Sequence, residues 1–383
     1  MRSPGLVIIG SGPAGLSAAE SFRERNREDP VLMLTADPAL PYQRPPLSKD
    51  FLRGDAEAGD AQLHPAEWFA DNAVEVVRSQ PVDAIDVTQH LVTSRVSSYP
   101  YRWLVVTTGA SPSPMPVPGG DNALQLRSLA DATVLREATS RAGAAVVIGA
   151  GFIGCEAAAS LAMRGVATTL VAPDPVPQAK RLGREAGQRI TAVLTEVGVE
   201  YRGGVKVAEI GGHGVRLDDG TSVGCDMVLA ATGVAPQADV AAQAGIATRD
   251  GRIVVDAGMQ TSVENVWAAG DVALAQNSLA GRRIAVEHWQ DAIDQGGIAG
   301  AAAAGERGEW DGVPGFWTTI GQATLKYHAW GDGYDTSSLV QHDEGFTVWY
   351  ESDGAVVGVL THNADDDYGR GEELIRRRAP VPR

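Results

Sequence analysis

The sequence predicts an α/β chain of two parallel-sheet halves followed by a small α+β C-terminal domain. Three observations carry this reading. An apolar strand, a G-x-G-x-x-G turn and a helix rich in small residues occur in succession at Gly5–Glu20 and again at Ala144–Glu156. An apolar run ending in Thr-Gly shortly before a proline also occurs twice, at Val105–Pro112 and Leu229–Pro236. Beyond about residue 321 the pattern becomes alternating apolar and polar, as in Phe346–Tyr350 and Ala355–Leu360. Asp353-Gly354 marks a turn between those last two runs, and a short final helix is expected after them.

Composition narrows the class. At 383 residues the chain is too long for one ordinary core. Its 44% apolar and 21% charged residues are those of a globular protein. With 32 basic against 48 acidic residues the net charge is −16, so neither nucleic acid nor an anionic membrane is an expected partner. Two cysteines, Cys155 and Cys225, exclude a disulfide framework and fit a reducing, cytoplasmic setting. The seven histidines show no metal-ligand spacing, and no metal is expected. The start, MRSPGLVIIGSG, holds an apolar run too short for a signal peptide. Residues 144–163 look like a membrane span, but three glycines and Glu156 are better explained by the glycine motif.

In chain order, residues 6–9 read as a buried parallel strand. Gly10 allows a tight turn, Gly12 lets a pyrophosphate approach the backbone, and Gly15 allows close helix–strand packing. The helix opening at Pro13-Ala14 offers free N–H groups and a positive dipole end to that pyrophosphate. After the second strand, Val31–Leu34, an acid usually binds ribose hydroxyls. Here the position is Ala36, and Asp37 beside it is the candidate substitute. Leu40–Lys49 holds three prolines, Arg44 and Lys49, a stiff arm that is not helical. Gly149, Gly151 and Gly154 repeat the fingerprint, and Thr168–Val171 repeats the second strand. There the ribose position is Ala172, followed by Pro173 and Asp174, with Lys180 and Arg181 further on. The missing acid leaves the choice between NADH and NADPH open. At Val266–Val272 a strand delivers Gly270-Asp271. Ala273–Ala303 is expected to be a loop and then a helix, and Asp365–Asp367 a solvated loop.

Five stretches together are specific: the arm Leu40–Lys49, Leu126–Asp131, Glu156, Val286–Trp289 and Phe316–Thr319. They resemble the FAD-containing NAD(P)H:ferredoxin reductases that serve cytochrome P450s and Rieske dioxygenases, of the putidaredoxin reductase type, whose scaffold apoptosis-inducing factor shares. The resemblance implies a two-dinucleotide, glutathione-reductase-like flavoprotein. Its FAD domain would take residues 1–112 and 243–317, its NAD(P) domain 113–242, and a C-terminal cap 318–383. It places Arg44 at the FAD phosphate and adenosine side, and Lys49 beside the flavin ring with Glu156 as its partner. Arginine suits phosphate through its planar fork, and a lysine stabilises negative charge developing on the ring. Lys49 and Glu156 are the expected catalytic residues. Carried over as FAD contacts are Gly10, Gly12, Pro13, Ala14, Gly15, Ala36, Asp37 and Arg44. Further along, Val82, Thr108, Gly109, Arg127, Gly270 and Asp271 join them. Glu287, His288, Trp289 and Trp317 complete that side, the two tryptophans as covers of the flavin. Gly149, Gly151, Phe152, Ile153, Gly154, Ala172 and Gly233 are assigned to the nicotinamide dinucleotide.

Relatives that reduce disulfides carry a redox cysteine pair or a single cysteine near the position of Tyr42, and this chain has neither. Electrons must then leave for an external acceptor, by resemblance a [2Fe–2S] ferredoxin. The alternatives are an NAD(P)H oxidase or quinone reductase, and a redox-sensing interaction protein like apoptosis-inducing factor. A monomer or weak homodimer is expected. Docking an acidic ferredoxin on a chain of −16 requires a local basic patch, for which Arg282-Arg283, Lys326 and Arg376–Arg378 are the candidates.

Overall fold

The structure, a computed structural model, describes residues 5–382. Met1–Pro4 and Arg383, the outermost residues of the expected first and last domains, lie outside the described residues. The chain divides into two compact units. The first holds the chain up to Gln43, Gln62–Ser111 and Ala235–Pro314; the second holds Arg44–Ala61, Pro112–Val234 and the chain from Gly315 on. The boundary therefore falls inside the proline arm.

In the first unit, strands run parallel in the order Val74–Val77, Val31–Leu34, Gly5–Ile9 and Ser98–Val106, and Val266–Ala268 pairs beyond them. Leu6–Ile9, Val31–Leu34 and Leu104–Val106 are all buried, as near-continuous apolar runs in a parallel sheet must be. Helix Pro13–Arg25 packs against helix Trp289–Ala303. The approach is close enough that a Cβ on Gly296 would lie 2.2 Å from the Ala14 carbonyl oxygen, and one on Gly300 2.1 Å from that of Ala18. Gly296 and Gly300 of the second helix are therefore a packing requirement.

The second unit repeats the plan with parallel strands Val199–Gly203, Ala167–Ala172, Ala144–Ile148 and Met227–Ala230. Three antiparallel strands, Val207–Gly211, Gly214–Leu217 and Ser222–Gly224, contribute to one core with Val146, Ile148 and Val171. The duplication extends to individual hydrogen bonds. Gly10 donates to Leu34 O at 2.8 Å, and Gly149 to Val171 O at 2.8 Å. Thr107 N donates to Ile9 O at 2.8 Å, and Ala231 N to Ile148 O at 2.8 Å. Both first glycines are left-handed, at φ 109° and 102°.

From Gly315 the second unit continues into a five-stranded antiparallel sheet in the order Gly315–Ile320, Ala323–Ala329, Ala355–His362, Phe346–Ser352 and Thr336–Gln341, followed by helix Asp365–Arg377. The expected turn is present, with Asp353 and Gly354 both at positive φ, as a two-residue hairpin of this twist requires.

Two local expectations need correction. The segment read as a loop after Asp271 contains strands Ala273–Asn277 and Arg282–Ile284, paired antiparallel. Ala-Leu-Ala-Gln-Asn lacks the β-branched signal of a strand, and its state is imposed by the neighbouring Arg252–Val255. Asp365–Asp367 is the first turn of the last helix, where acids complement the positive end of the helix dipole.

Candidate functional site

The first fingerprint is built by steric necessity. A Cβ on Gly10 would sit 2.2 Å from Thr107 O, and one on Gly15 2.2 Å from Gly10 O. Gly12 ends the turn as the helix N-cap and Pro13 opens the helix, with no side chain capping its first N–H groups. Those groups stay available to an anion, and Ala14 beside them adds little bulk. Thr107, a residue the sequence reading passed over, closes the turn by donating from Oγ1 to Ile9 O at 2.9 Å. Thr108 instead donates to Gln237 O at 2.6 Å, and Gly109 follows at φ 66°.

Elsewhere in this unit Gly270 adopts φ 78° and donates to Oε1 of the buried Gln295 at 2.9 Å. Gln295 was also passed over; its signal was an amide set directly before the Gly296-Gly297 pair on a helix otherwise rich in small residues. Arg252 bridges the Asp271 carbonyl and the Glu287 carboxylate, the latter at 2.7 Å. His288 Nδ1 lies 3.1 Å from Asp291, and Trp289 begins the helix half-buried. Val82 lies opposite Ser94 in an antiparallel pair. Ala36 is exposed, while Asp37 accepts from Tyr42 Oη at 2.7 Å and from Ala39 N at 2.9 Å. Both Asp37 oxygens are thereby already engaged within the chain.

The second fingerprint separates two uses of glycine. A Cβ on Gly154 would lie 1.9 Å from Gly149 O, and one on Gly149 2.4 Å from Ala231 O. Gly151, by contrast, has φ −69°, and a Cβ there would meet nothing nearer than Gln178 Nε2 at 3.9 Å. Neither backbone conformation nor internal packing requires glycine at that position. Open space over a helix N-terminus is what an approaching pyrophosphate needs, so the residues fit a dinucleotide. Gly233 has φ 103° and open space around it. Phe152 packs on Phe316 with ring centroids 4.4 Å apart, and Ile153 is 39% exposed. Ala172 ends its strand buried; beyond it Lys180 is 86% exposed and only loosely placed near Asp174, at 3.8 Å.

Also in the second unit is the arm's last turn, which corrects the expectation of a non-helical arm: Pro45–Ser48 form a 3₁₀ helix, with prolines at its first positions where no backbone donor is needed, running into helix Asp50–Arg53. One face of helix Phe152–Met163, extended by its cap residue, holds it at four-residue spacing. Glu156 meets Lys49 at 2.9 Å, Ser160 donates to Ser48 O at 2.7 Å, and Arg164 donates to Leu52 O at 2.9 Å. The expected Lys49–Glu156 ion pair is thus present, with side chains only 12% and 6% exposed. Glu156 also accepts from Ser48 Oγ at 2.5 Å and Thr318 Oγ1 at 2.6 Å. Lys49 donates a second bond to Pro45 O at 2.8 Å. The Arg44 guanidinium has no partner among the described residues. Arg127 N and Ser128 N both donate to Asp131, at the capping box of helix Leu129–Thr139. Trp317 is 47% exposed, too open for a core residue.

The pyridine nucleotide-disulphide oxidoreductase family matches residues 4–296, about three-quarters of the chain. The chain belongs to that family. It is an oxidoreductase that uses FAD and NAD(P)H. Rhodocoxin reductase of Rhodococcus erythropolis is 31% identical over 98% of this chain and 90% of its own. The structure of the ferredoxin reductase for the CYP199A2 system of Rhodopseudomonas palustris superposes with a TM-score of 0.93 at 30% identity, covering 99% of this chain and 96% of that one. That of a covalent putidaredoxin reductase–putidaredoxin complex gives 0.93 at 27%, covering 100% and 95%. Despite the family's name, both cysteines of this oxidoreductase are free. Burial, and then the Glu156 charge, push the Cys155 thiol well above its usual range, and burial raises Cys225 too. Neither is a redox thiol of the reactive, low-pKa kind. Among the described residues no helix is long and apolar enough to cross a membrane, and no cluster of potential metal ligands occurs.

Proposed function

We propose that this oxidoreductase passes hydride from NAD(P)H to FAD and then single electrons to a [2Fe–2S] ferredoxin serving a P450 or Rieske oxygenase. The observation that carries the reading is the buried Lys49–Glu156 pair in a chain without a redox cysteine pair. It is supported by relatives named as reductases of small electron carriers, one of them solved in covalent complex with putidaredoxin.

Bound FAD supplies the conversion of a two-electron hydride into single electrons. Gly10, Gly12 and the open helix end at Pro13 hold its pyrophosphate, and the unpartnered Arg44 adds a phosphate ligand. Gly270 and Asp271 take the ribityl side. Gly149, Gly151 and the helix starting at Phe152 hold the nicotinamide dinucleotide. Lys49 stabilises negative charge on the reacting ring, and Glu156 keeps the ammonium in place. The three-domain division is retained, with the C-terminal sheet as the cap. Free cysteines and the acidic surface fit a cytoplasmic location. The test is stopped-flow reduction by NADH followed by mixing with ferredoxin, quinone or air. Rapid reoxidation by a ferredoxin alone supports the proposal; reoxidation by quinone or air with every ferredoxin inert overturns it.

With Ala172 in place of the ribose-binding acid, discrimination between NADH and NADPH should stay below about a hundredfold, ~2.7 kcal/mol. Ala172→Glu should shift the kcat/KM ratio towards NADH by about tenfold or more, through bonds to the ribose and repulsion of a 2′-phosphate. A wild-type preference well beyond a hundredfold would show that other residues already decide the matter.

Docking should depend on Arg282 and Arg283. The two arginines stand just before the Val286–Trp289 stretch assigned to the flavin side. Raising salt should slow ferredoxin reduction and leave ferricyanide reduction nearly unchanged. Arg282→Glu with Arg283→Glu should do the same at low salt, by about tenfold. A wild-type rate in the double variant would place the docking surface elsewhere.

A further inference from the structure

The Glu156 carboxylate is gripped from separate parts of the chain. Ser48 Oγ and Lys49 Nζ converge on Oε2, and Thr318 Oγ1 takes Oε1. Ser48 and Thr318 are only 5% and 1% exposed. A buried hydroxyl must spend its one proton on an acceptor, and both spend it here. A carboxylate has about four acceptor sites on its two oxygens, so all three donors can be taken at once. Ser48 is itself anchored, because Ser160 donates to its carbonyl from the helix turn after Glu156. Lys49 has three N–H groups. One goes to Pro45 O and one to Glu156, leaving a third without a partner among the described residues.

We propose that Ser48 and Thr318 are positioning residues for Lys49. Fixing the Glu156 carboxylate from two directions, they fix where the remaining ammonium N–H points. The inference rests on the reading of Lys49 as the charge beside the flavin. It assigns roles to two hydroxyls, one of them in the C-terminal sheet, that touch Glu156 rather than the reacting groups.

The test uses the FAD-loaded protein with Ser48→Ala and Thr318→Val made separately, so that a poorly folded variant leaves the other to decide. Reductive methylation, followed peptide by peptide, reads how tightly each lysine is held; the chain has four, Lys49, Lys180, Lys206 and Lys326. Loss of one hydrogen bond to a charged group should raise Lys49 modification about tenfold. Lys180, Lys206 and Lys326 should be unaffected. The flavin midpoint potential should fall, and hydride transfer should slow about tenfold with the Kd for NADH unchanged. Thr318→Ser should restore all three. Unchanged Lys49 reactivity and potential in both variants would overturn the proposal. A rise in Lys49 reactivity with potential and rate unchanged would uphold the positioning role and remove Lys49 from the flavin.

Discussion

Lys49→Met is expected to slow reduction of the flavin by NADH about a hundredfold while FAD stays bound, because the variant removes a preorganised charge but no part of either glycine turn. The structure gives this prediction a second, independent readout. Glu156 is 5% exposed, and without Lys49 its charge would be held by two hydroxyls alone. Removing one partner of a buried pair costs about 3–5 kcal/mol, whereas replacing both by apolar groups is often neutral. Lys49→Met should therefore melt several degrees lower. Adding Glu156→Leu should recover only part of that stability, since it removes the stranded charge but leaves the Ser48 and Thr318 hydroxyls without their acceptor, and it should not recover the rate. Stopped-flow reduction and thermal melts on the three proteins check both halves. A Lys49→Met protein that takes hydride at the wild-type rate would end the assignment of Lys49 to the flavin.

The second large effect separates the glycines of one fingerprint. Gly154→Ala would place a methyl group 1.9 Å from the Gly149 carbonyl oxygen, and the strand and helix cannot part without opening the unit's core. Loss of folding or a destabilisation of more than about 4 kcal/mol is expected. Gly151→Ala meets no such obstacle. Its backbone is in a region open to any residue and the added carbon projects into free space. That variant should fold with full FAD content and lose about 1 kcal/mol, as alanine is a poorer N-cap than glycine. Its affinity for NADH or ADP-ribose should nevertheless drop about a hundredfold, since the methyl group occupies the pyrophosphate approach. Equal melting of the two variants, or wild-type NADH binding by Gly151→Ala, would refute this division of labour.

The sequence by itself determined what is encoded within one turn or one strand. The two parallel sheets, both glycine turns and the hairpin at Asp353-Gly354 follow from apolar runs and from residues that tolerate positive φ. The pairing of Lys49 with Glu156 was legible as well, but only because the arm and the second fingerprint resemble a known family. Tertiary structure alone decided what depends on partners distant in sequence. Ala273–Asn277 becomes a strand because a neighbouring strand imposes it. Ser48 and Thr318 lie 108 and 162 residues from Glu156 and carry no local mark of their role. Backbone state is set largely by neighbours in sequence. The grip on a buried carboxylate is set by which hydroxyls the packed core leaves without water, and that is fixed only once the elements have come together.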